Sequence, residues 1–318
     1  MLPVDPSIVA HNLVLEEELR TACSTLRSAG IPVVVQKGFP LLRRLGLPLH
    51  DRRMLDNDIL VRRRDVVAAA QVLRELGYRD RTQRSLAASL DLAYQHSLVR
   101  VARGHQRVVL ALHWQSFAPW LYDVAPELEW RHVERVSLGE QEFDVFDRPL
   151  TLLHTACHFI QHGFGELRIL RTLGAAWSQW RADSGEDTFA LARETGTLPT
   201  LEYSLLAAST HGFTEYAREP RSVRARALLK LLPPARLLEP RPARDDEWDL
   251  LSVVLVSPGR AGKRLLGKVV PPPAKVTETV GSDDLWRMAR YYALRPASIV
   301  RGWLKQREEL ARLRTQRK

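Results

Sequence analysis

Cysteine and long apolar runs are scarce in this chain of 318 residues. Its two cysteines, Cys23 and Cys157, cannot form a disulfide framework or supply a thiolate metal site on their own. No run of about 18 uncharged apolar residues occurs, so the sequence predicts no membrane-spanning helix. The first residues lack a basic segment that leads into an apolar run, which a signal peptide needs. We therefore expect a cytoplasmic protein.

The excess of positive charge is confined to one end of the chain. The sequence contains 47 Lys and Arg against 37 Asp and Glu, a formal net charge of +10. Fifteen basic and five acidic residues lie between 257 and 318, which leaves 32 of each sign in the first 256 residues. A balanced body excludes a uniformly basic nucleic-acid coat protein. Because no recognisable binding module accompanies the basic end, nucleic acid is not an expected partner.

Hydrophobic periodicity predicts two kinds of structure along the chain. Helices and strands alternate over the first 115 residues, and the pattern after Pro149 is almost wholly helical. The early elements are expected at 7–29 (helix), 33–35 (strand), 39–45 (helix), 56–61 (strand), 65–76 (helix, N-capped by Asp65), 97–102 (strand) and 107–112 (strand). We predict an α+β fold in which a small mixed-sheet domain, 1–149, precedes a mainly helical region, 150–256, and a basic helical segment, 257–318.

The segment from Val33 to Tyr78 contains the residues with the clearest chemistry. Asp56 and Asp58 lie two apart on a predicted strand, so both side chains should project from one face while Asn57 points away. Neighbouring carboxylates repel each other and are stabilised by a divalent cation, and their oxygen ligands suit Mg²⁺. Upstream, a strand ends at Lys37-Gly38, where glycine allows close backbone approach and helix-start N–H groups favour a phosphate. This layout indicates metal-assisted phosphoryl chemistry.

These residues resemble the bacterial uncharacterised nucleotidyltransferase family of the polymerase-β-like nucleotidyltransferase superfamily. The matching residues are Lys37, Gly38, Arg52, Asp56, Asp58, Leu60, Val61, Asp65, Gly77 and Tyr78. Weaker similarity continues at Leu112-His113-Trp114, Leu153-His154 and Leu294-Arg295-Pro296. The resemblance implies a nucleotidyltransferase-like sheet domain. It also implies Mg²⁺-dependent transfer of a nucleotidyl group from an NTP to an unidentified small-molecule, peptide or protein acceptor.

The resemblance assigns a role to each residue of the motif. Asp56 and Asp58 would be the catalytic residues and would bind Mg²⁺. Lys37 and Gly38 would hold the nucleotide phosphates. Arg52 would neutralise phosphate charge, because a guanidinium makes bidentate contacts with phosphate.

Two departures from the family pattern qualify this assignment. The superfamily places a third carboxylate on a later strand, and the corresponding position here is Ala111, which can neither bind a metal nor accept a proton. His113 is an accessory candidate for that role, although a buried and fully bonded histidine fits the pattern equally well. The usual small pair of the phosphate turn is here Gly38-Phe39. The alternative function is a catalytically inactive, nucleotidyltransferase-like binding or accessory protein.

Three other patterns allow two interpretations each. His154, His158 and His162 share a helical stripe, for which we favour structural packing over zinc binding. The run Arg62-Arg63-Arg64 would either attract phosphate or form a solvated loop. The basic C-terminal segment, with Trp286, Tyr291, Tyr292, Leu294 and other apolar residues, would either pack on the body, which we favour, or contact an anionic membrane surface.

Overall fold

The computed structural model describes residues 5–50, 53–81, 84–102, 106–139, 141–238, 251–256, 259, 261–262, 270–271, 276, 284–298 and 301. The chain forms two compact units. The first consists of Met1–Ser116 and Val124–Thr151, and the second of Phe117–Asp123 and Leu152–Lys318. The division into segments at 149 and 256 stays a prediction.

A mixed sheet of seven strands organises the described part of the first unit. Its strands are β1 Val34–Val35, β2 Asn57–Leu60, β3 Arg79–Asp80, β4 Gln95–Val101, β5 Arg107–His113, β6 Val133–Leu138 and β7 Gln141–Phe146. The order across the sheet is β3-β4-β5-β2-β1-β7-β6. The helices of this unit are α1 Pro6–Ser28, α2 Phe39–Arg44, α3 Val66–Glu75, α4 Leu86–Leu92 and α5 Pro126–Arg131.

Strand β2 has a different kind of neighbour on each side. It pairs parallel with β5, where Asp58 lies opposite Ala111, and antiparallel with β1, where Val35 lies opposite Ile59. Strand β1 also pairs parallel with β7. The remaining ladders, β3 with β4, β4 with β5 and β6 with β7, are antiparallel.

One face of the sheet packs against α1 and α3. Asp5 caps α1 by accepting a hydrogen bond from the Ser7 N–H at 2.9 Å, and Pro6 has the backbone angle that a first helical turn requires. The hydrophobic core between the helices and the sheet includes Leu15, Leu19, Leu26, Ala70, Leu73, Val33, Val35, Ile59, Leu98, Leu110 and Leu112. Because strand side chains alternate, residues such as Val34, Asp58, Leu60 and Ala111 belong to the opposite face.

The predicted elements of this unit agree with the structure, with a few local differences. Strand β2 begins at Asn57, so Asp56 precedes it rather than opening it. Asp65 stands at the N-cap of α3 but its side chain makes no capping hydrogen bond, because a 3₁₀ turn at Arg63–Asp65 runs directly into the helix. The hairpin of β6 and β7 was not predicted. The predicted turn at residues 103–105 lies outside the described residues.

The described part of the second unit is helical, as the sequence predicts, and the α+β fold class is confirmed. Its main helices are α7 Leu167–Glu194, α8 Leu198–Thr210 and α9 Val223–Leu231. Helix α6, Arg148–Gln161, begins in the first unit and continues in the second. Short 3₁₀ helices follow at Pro234–Leu238 and Ser252–Leu255.

The basic C-terminal segment is described mainly at residues 285–298, which are helical. Its apolar side chains were expected to pack on the body, but Trp286 is 84% exposed and Leu294 is 51% exposed. The packing prediction is therefore wrong at these two residues. Tyr291 and Tyr292 are half-buried. Across the residues that the structure describes, no helix is long and apolar enough to cross a membrane.

Two glycines in α7 provide a matched test of packing in the second unit. A Cβ atom on Gly174 would lie 2.6 Å from the Phe213 carbonyl oxygen, whereas on Gly185 its nearest contact, with Trp177, would be an ordinary 3.5 Å. We expect Gly174→Ala to lower the free energy of unfolding by about 1–3 kcal/mol because of the clash. Gly185→Ala should leave it unchanged or raise it by up to about 1 kcal/mol, since alanine favours helix. Urea unfolding of both variants measures this, and equal effects would contradict the Phe213 contact.

Candidate functional site

Asp58 is the centre of a buried polar cluster on the sheet face opposite α1. Only 4% of the residue is exposed. Its Oδ2 atom lies 3.3 Å from Lys37 Nζ, and its Oδ1 atom lies 3.0 Å from His113 Nε2. The cluster therefore brings together three of the predicted residues, one from the turn after β1, one from β2 and one from the end of β5.

The charge of Asp58 is stabilised by its two partners. Burial alone would raise the pKa of this carboxyl, but Lys37 and His113 together outweigh burial and hold the pKa below its usual value. An ionised carboxylate only accepts hydrogen bonds, so His113 must donate through Nε2–H. The two carboxylate oxygens offer about four acceptor positions, and these two bonds leave acceptor capacity for a further ligand.

Gly38 makes the turn that brings Lys37 to Asp58. Its φ of +79° and ψ of −133° suit glycine, because a side chain rarely adopts positive φ. Among the described residues, a Cβ at this position would meet only Met54 Sδ, at 3.9 Å, so the backbone angle is the reason for glycine there. Helix α2, which follows, has six residues. Phosphate binding here would therefore rest on the N–H groups of the turn and on the Lys37 ammonium.

Asp56 and Arg52 are the remaining candidate site residues. Asp56 is half-buried and directly precedes β2. Asn57 does point away from Asp58, as predicted, because its side-chain amide donates to the Leu15 carbonyl oxygen of α1 at 2.9 Å. Arg52 lies outside the described residues.

His113 is the side chain of β5 that bonds to Asp58, while Ala111 lies directly opposite Asp58 in the ladder. The expected position of the third carboxylate is thus next to Asp58, and an alanine occupies it. Over the described residues, no group of three or more His, Cys, Asp or Glu side chains is arranged to hold a metal ion.

Gln36 is a buried residue of this region that the motif did not reveal. It is 4% exposed, and in the described structure neither its amide oxygen nor its amide nitrogen has a hydrogen-bond partner. His113 Nδ1 is buried and unbonded as well. The sequence contains one indication of this position. Side chains alternate between the two faces of a strand, so Gln36, two residues after Val34 and directly before Lys37, is expected on the same face as Val34.

The arginine run after β2 makes specific contacts in the fold. Arg62 stacks over the Trp130 ring at 4.3 Å, and Arg63 donates to the Leu90 carbonyl oxygen at 2.7 Å. Both contacts fix the orientation of the guanidinium groups. Arg63 and Arg64 are both exposed, and Arg64 Nε lies 3.7 Å from an Asp65 carboxylate oxygen.

His154 and the two cysteines are buried and His158 is half-buried, whereas His162 is exposed and lies 3.0 Å from Glu166. The rings of His154 and His158 stack at 5.9 Å, and that of His158 meets His162 edge to face at 4.3 Å. Burial raises the pKa of the Cys23 thiol to about 12 and also raises the pKa of Cys157. Since the thiolate is the reactive form, neither cysteine is a nucleophile near neutral pH.

The ion pair of Asp58 predicts a specific pH dependence of stability. Asp58→Asn removes a buried negative charge that faces both Lys37 and His113, so we expect the free energy of unfolding at pH 7 to fall by roughly 2–4 kcal/mol. Because the folded-state pKa of Asp58 is lowered, its contribution is complete above the unfolded-state pKa of about 3.9 and is lost as the pH falls further. The difference between wild type and variant should therefore shrink below about pH 4.

Urea unfolding of both proteins between pH 7 and pH 2.5 measures this difference. Asp91→Asn is the matched control, because Asp91 is exposed near the end of α4. Its effect should stay within about 0.5 kcal/mol at every pH. A wild-type advantage over Asp58→Asn that persists undiminished at pH 2.5 would contradict the ion pair.

About two thirds of the chain match a known protein family. No curated protein was found to match the chain. A family model described as an uncharacterised nucleotidyltransferase matches residues 7–212, which include the whole sheet and every residue of the Asp58 cluster. The match supports nucleotidyl transfer as the general function. A match over well more than half of the chain shows that this protein belongs to the uncharacterised nucleotidyltransferase family.

Proposed function

We propose that this protein is a Mg²⁺-dependent nucleotidyltransferase. An acceptor oxygen would form a bond to the α-phosphorus of an NTP, and the bond from that phosphorus to pyrophosphate would break, which releases pyrophosphate. The observation that carries the proposal is the ionised, buried Asp58 bonded to Lys37 at the Gly38 turn. A buried charge is costly unless it is compensated. A fold that maintains a carboxylate and an ammonium together beside a tight backbone turn is suited to binding a metal–phosphate group.

Lys37 would contact the phosphates of the nucleotide. Its side chain is 23% exposed whereas that of Asp58 is 5% exposed, so the ammonium is the accessible member of the pair. A lysine ammonium is a compact charge with three donors, which lets it bond to a phosphate oxygen and a carboxylate oxygen together. The N–H groups of the Gly38 turn would add neutral donors to the same phosphate.

The carboxylates of Asp56 and Asp58 fit a divalent cation. Nucleotidyltransferases generally use such a metal, and Mg²⁺ is commonly bound by one or two carboxylates together with substrate phosphates. Asp58 retains acceptor capacity beyond its bonds to Lys37 and His113. When bound, the metal would neutralise charge on the transferring phosphate.

His113 would accept the proton of the acceptor hydroxyl. Ala111 cannot do so, and His113 is the residue of β5 that contacts Asp58. With Nε2–H donated to Asp58, Nδ1 is the ring nitrogen that could accept a proton, and this atom has no partner in the described structure. A carboxylate that orients an imidazole in this way is a common arrangement for a general base.

Nucleotide binding and transfer can be tested separately. We expect Lys37→Met to weaken binding of NTP with Mg²⁺ about 10- to 100-fold, because a charge-assisted hydrogen bond to phosphate is lost. Isothermal titration calorimetry measures the binding. Lys230→Met is the matched control, since Lys230 is an exposed residue of α9, and it should bind like wild type.

The double variant Asp56→Asn with Asp58→Asn tests transfer. It should abolish pyrophosphate release and transfer of an α-phosphate label to cell-extract acceptors.

The same measurements decide between the enzyme and the inactive alternative that Ala111 favours. Tight, Lys37-dependent NTP binding without pyrophosphate release from any acceptor pool would support a binding or accessory protein. Transfer that survives the double aspartate substitution would refute the assignment of these residues. Absence of NTP binding by the wild type would refute the proposed function.

The exposed C-terminal helix favours a second candidate, contact with an anionic membrane surface. Leu285 and Trp286 are 81% and 84% exposed, and the helix 285–298 also contains Arg287, Arg290 and Arg295. Exposed apolar residues beside arginines are typical of helices that lie on membranes with acidic lipids.

Co-sedimentation with vesicles tests this candidate. We expect the full chain to bind phosphatidylglycerol-containing vesicles more strongly than pure phosphatidylcholine vesicles, and less strongly as salt rises. Replacing both Leu285 and Trp286 with serine should reduce binding about tenfold or more, since each contributes apolar burial. Serine at the exposed α9 residues Val223 and Leu231 is the matched control. Equal binding by both double variants would exclude a role for the helix.

A further inference from the structure

The amide of Gln36 is buried and has no hydrogen-bond partner among the described residues, and it lies next to the carboxylate on which the proposed function depends. The residue is 4% exposed, and in the described structure its Oε1 and Nε2 atoms both lack a hydrogen bond. A buried amide that has left water and gained no partner costs free energy. Methionine would fill the same length of space without that cost. The amide therefore indicates a polar ligand.

The ladder places Gln36 directly beside Asp58. Its backbone N–H donates to the Asp58 carbonyl oxygen at 3.2 Å, which continues the antiparallel register of β1 and β2 by one residue. Residues directly opposite in such a pair lie on the same face, with their Cβ atoms about 5 Å apart. Asp58 thus has Gln36 on one side and Ala111 on the other.

Gln36 offers an oxygen atom on the same face as Ala111, the position where the family pattern would place a third carboxylate. In the family pattern, the third carboxylate stands at the position of Ala111 on β5, which is the strand on one side of Asp58. The Gln36 side chain comes from β1, one strand to the other side, and an amide oxygen is a ligand that hard divalent cations accept. It lies one residue before Lys37, so the same short segment would present both the amide oxygen and the phosphate-binding ammonium.

We propose that Gln36 Oε1 is the third protein oxygen ligand of the divalent cation, alongside Asp56 and Asp58. This inference rests on the proposed function and deepens it. A neutral ligand in place of a carboxylate leaves the site one negative charge short, so the cation is held more weakly by the protein alone. The nucleotide phosphates then supply the remaining charge, and the metal binds best together with NTP.

Binding of Mn²⁺ alone measures the role of Gln36 without any enzymatic activity. Mn²⁺ prefers the same oxygen ligands as Mg²⁺, and its free ion gives an electron paramagnetic resonance signal that disappears on binding. We expect Gln36→Met to weaken Mn²⁺ binding about tenfold or more through the loss of a ligand. Gln36→Glu should strengthen it about tenfold, because the site regains the missing charge. Gln71→Met, on the exposed surface of α3, is the matched control and should bind like wild type.

Thermal unfolding separates a ligand role from a structural one. If the amide serves a ligand, Gln36→Met should have a Tm equal to or above that of wild type, since an unpartnered buried group is removed. A lower Tm together with weaker Mn²⁺ binding would show that the amide supports the fold, and would overturn the proposal. Unchanged Mn²⁺ binding by Gln36→Met would also overturn the proposal. This includes the case in which the variant binds only NTP more weakly, because the amide would then bond to the nucleotide and not to the metal.

The outcomes also distinguish this inference from the proposed function. Mn²⁺ binding that disappears in Asp58→Asn but not in Gln36→Met would overturn the role of Gln36 and leave the carboxylate site intact. Mn²⁺ binding that survives Asp58→Asn would overturn both. A wild type that binds no Mn²⁺ at millimolar concentration overturns the Gln36 role, and its NTP titration then decides the function on its own.

Discussion

The ion pair between Asp58 and Lys37 is the constraint on which the site depends. A carboxylate with 4% exposure stays ionised only because an ammonium lies 3.3 Å away and an imidazole 3.0 Å away. A different structural feature positions each partner. A turn that requires glycine positions Lys37, and the parallel pairing of β2 with β5 positions His113. The charge, the turn and the mixed sheet therefore form one unit, and a change in any of them affects the other two.

The site also shows how a lost charge can be balanced within one sheet face. Ala111 lies beside Asp58 where the family pattern would place a carboxylate, and among the described neighbours are the neutral Gln36 amide and the His113 imidazole. Such a face repels phosphate less than one with three carboxylates would. Its electrostatics thus favour an anion more, and a bare cation less.

Much of the fold could be predicted from periodicity, and the exceptions have physical causes. Strand β1 and the middle of β5 are apolar runs, and β2 passes from Asn57-Asp58 into Ile59-Leu60, so composition reveals all three strands. Strand β6 is half-exposed, with Glu134 and Arg135 among its residues, and its charged side chains conceal the alternation. For the site, spacing and resemblance indicated Lys37, Asp58 and His113. The missing partner of Gln36 could not be predicted, because hydrogen bonding in a buried site depends on atomic positions that no pattern encodes.

The parallel pairing of β1 with β7 has a consequence for the order of assembly. Val35 lies opposite Val145, so the strand that leads into Gln36 and Lys37 obtains one of its two neighbours from a residue 110 positions later. Until that hairpin is synthesised, β1 is an edge strand with unpaired backbone groups, and long-range pairing of this kind forms slowly. On the ribosome, the Gly38 turn would therefore be completed only after nearly half of the chain has emerged, well after Asp58.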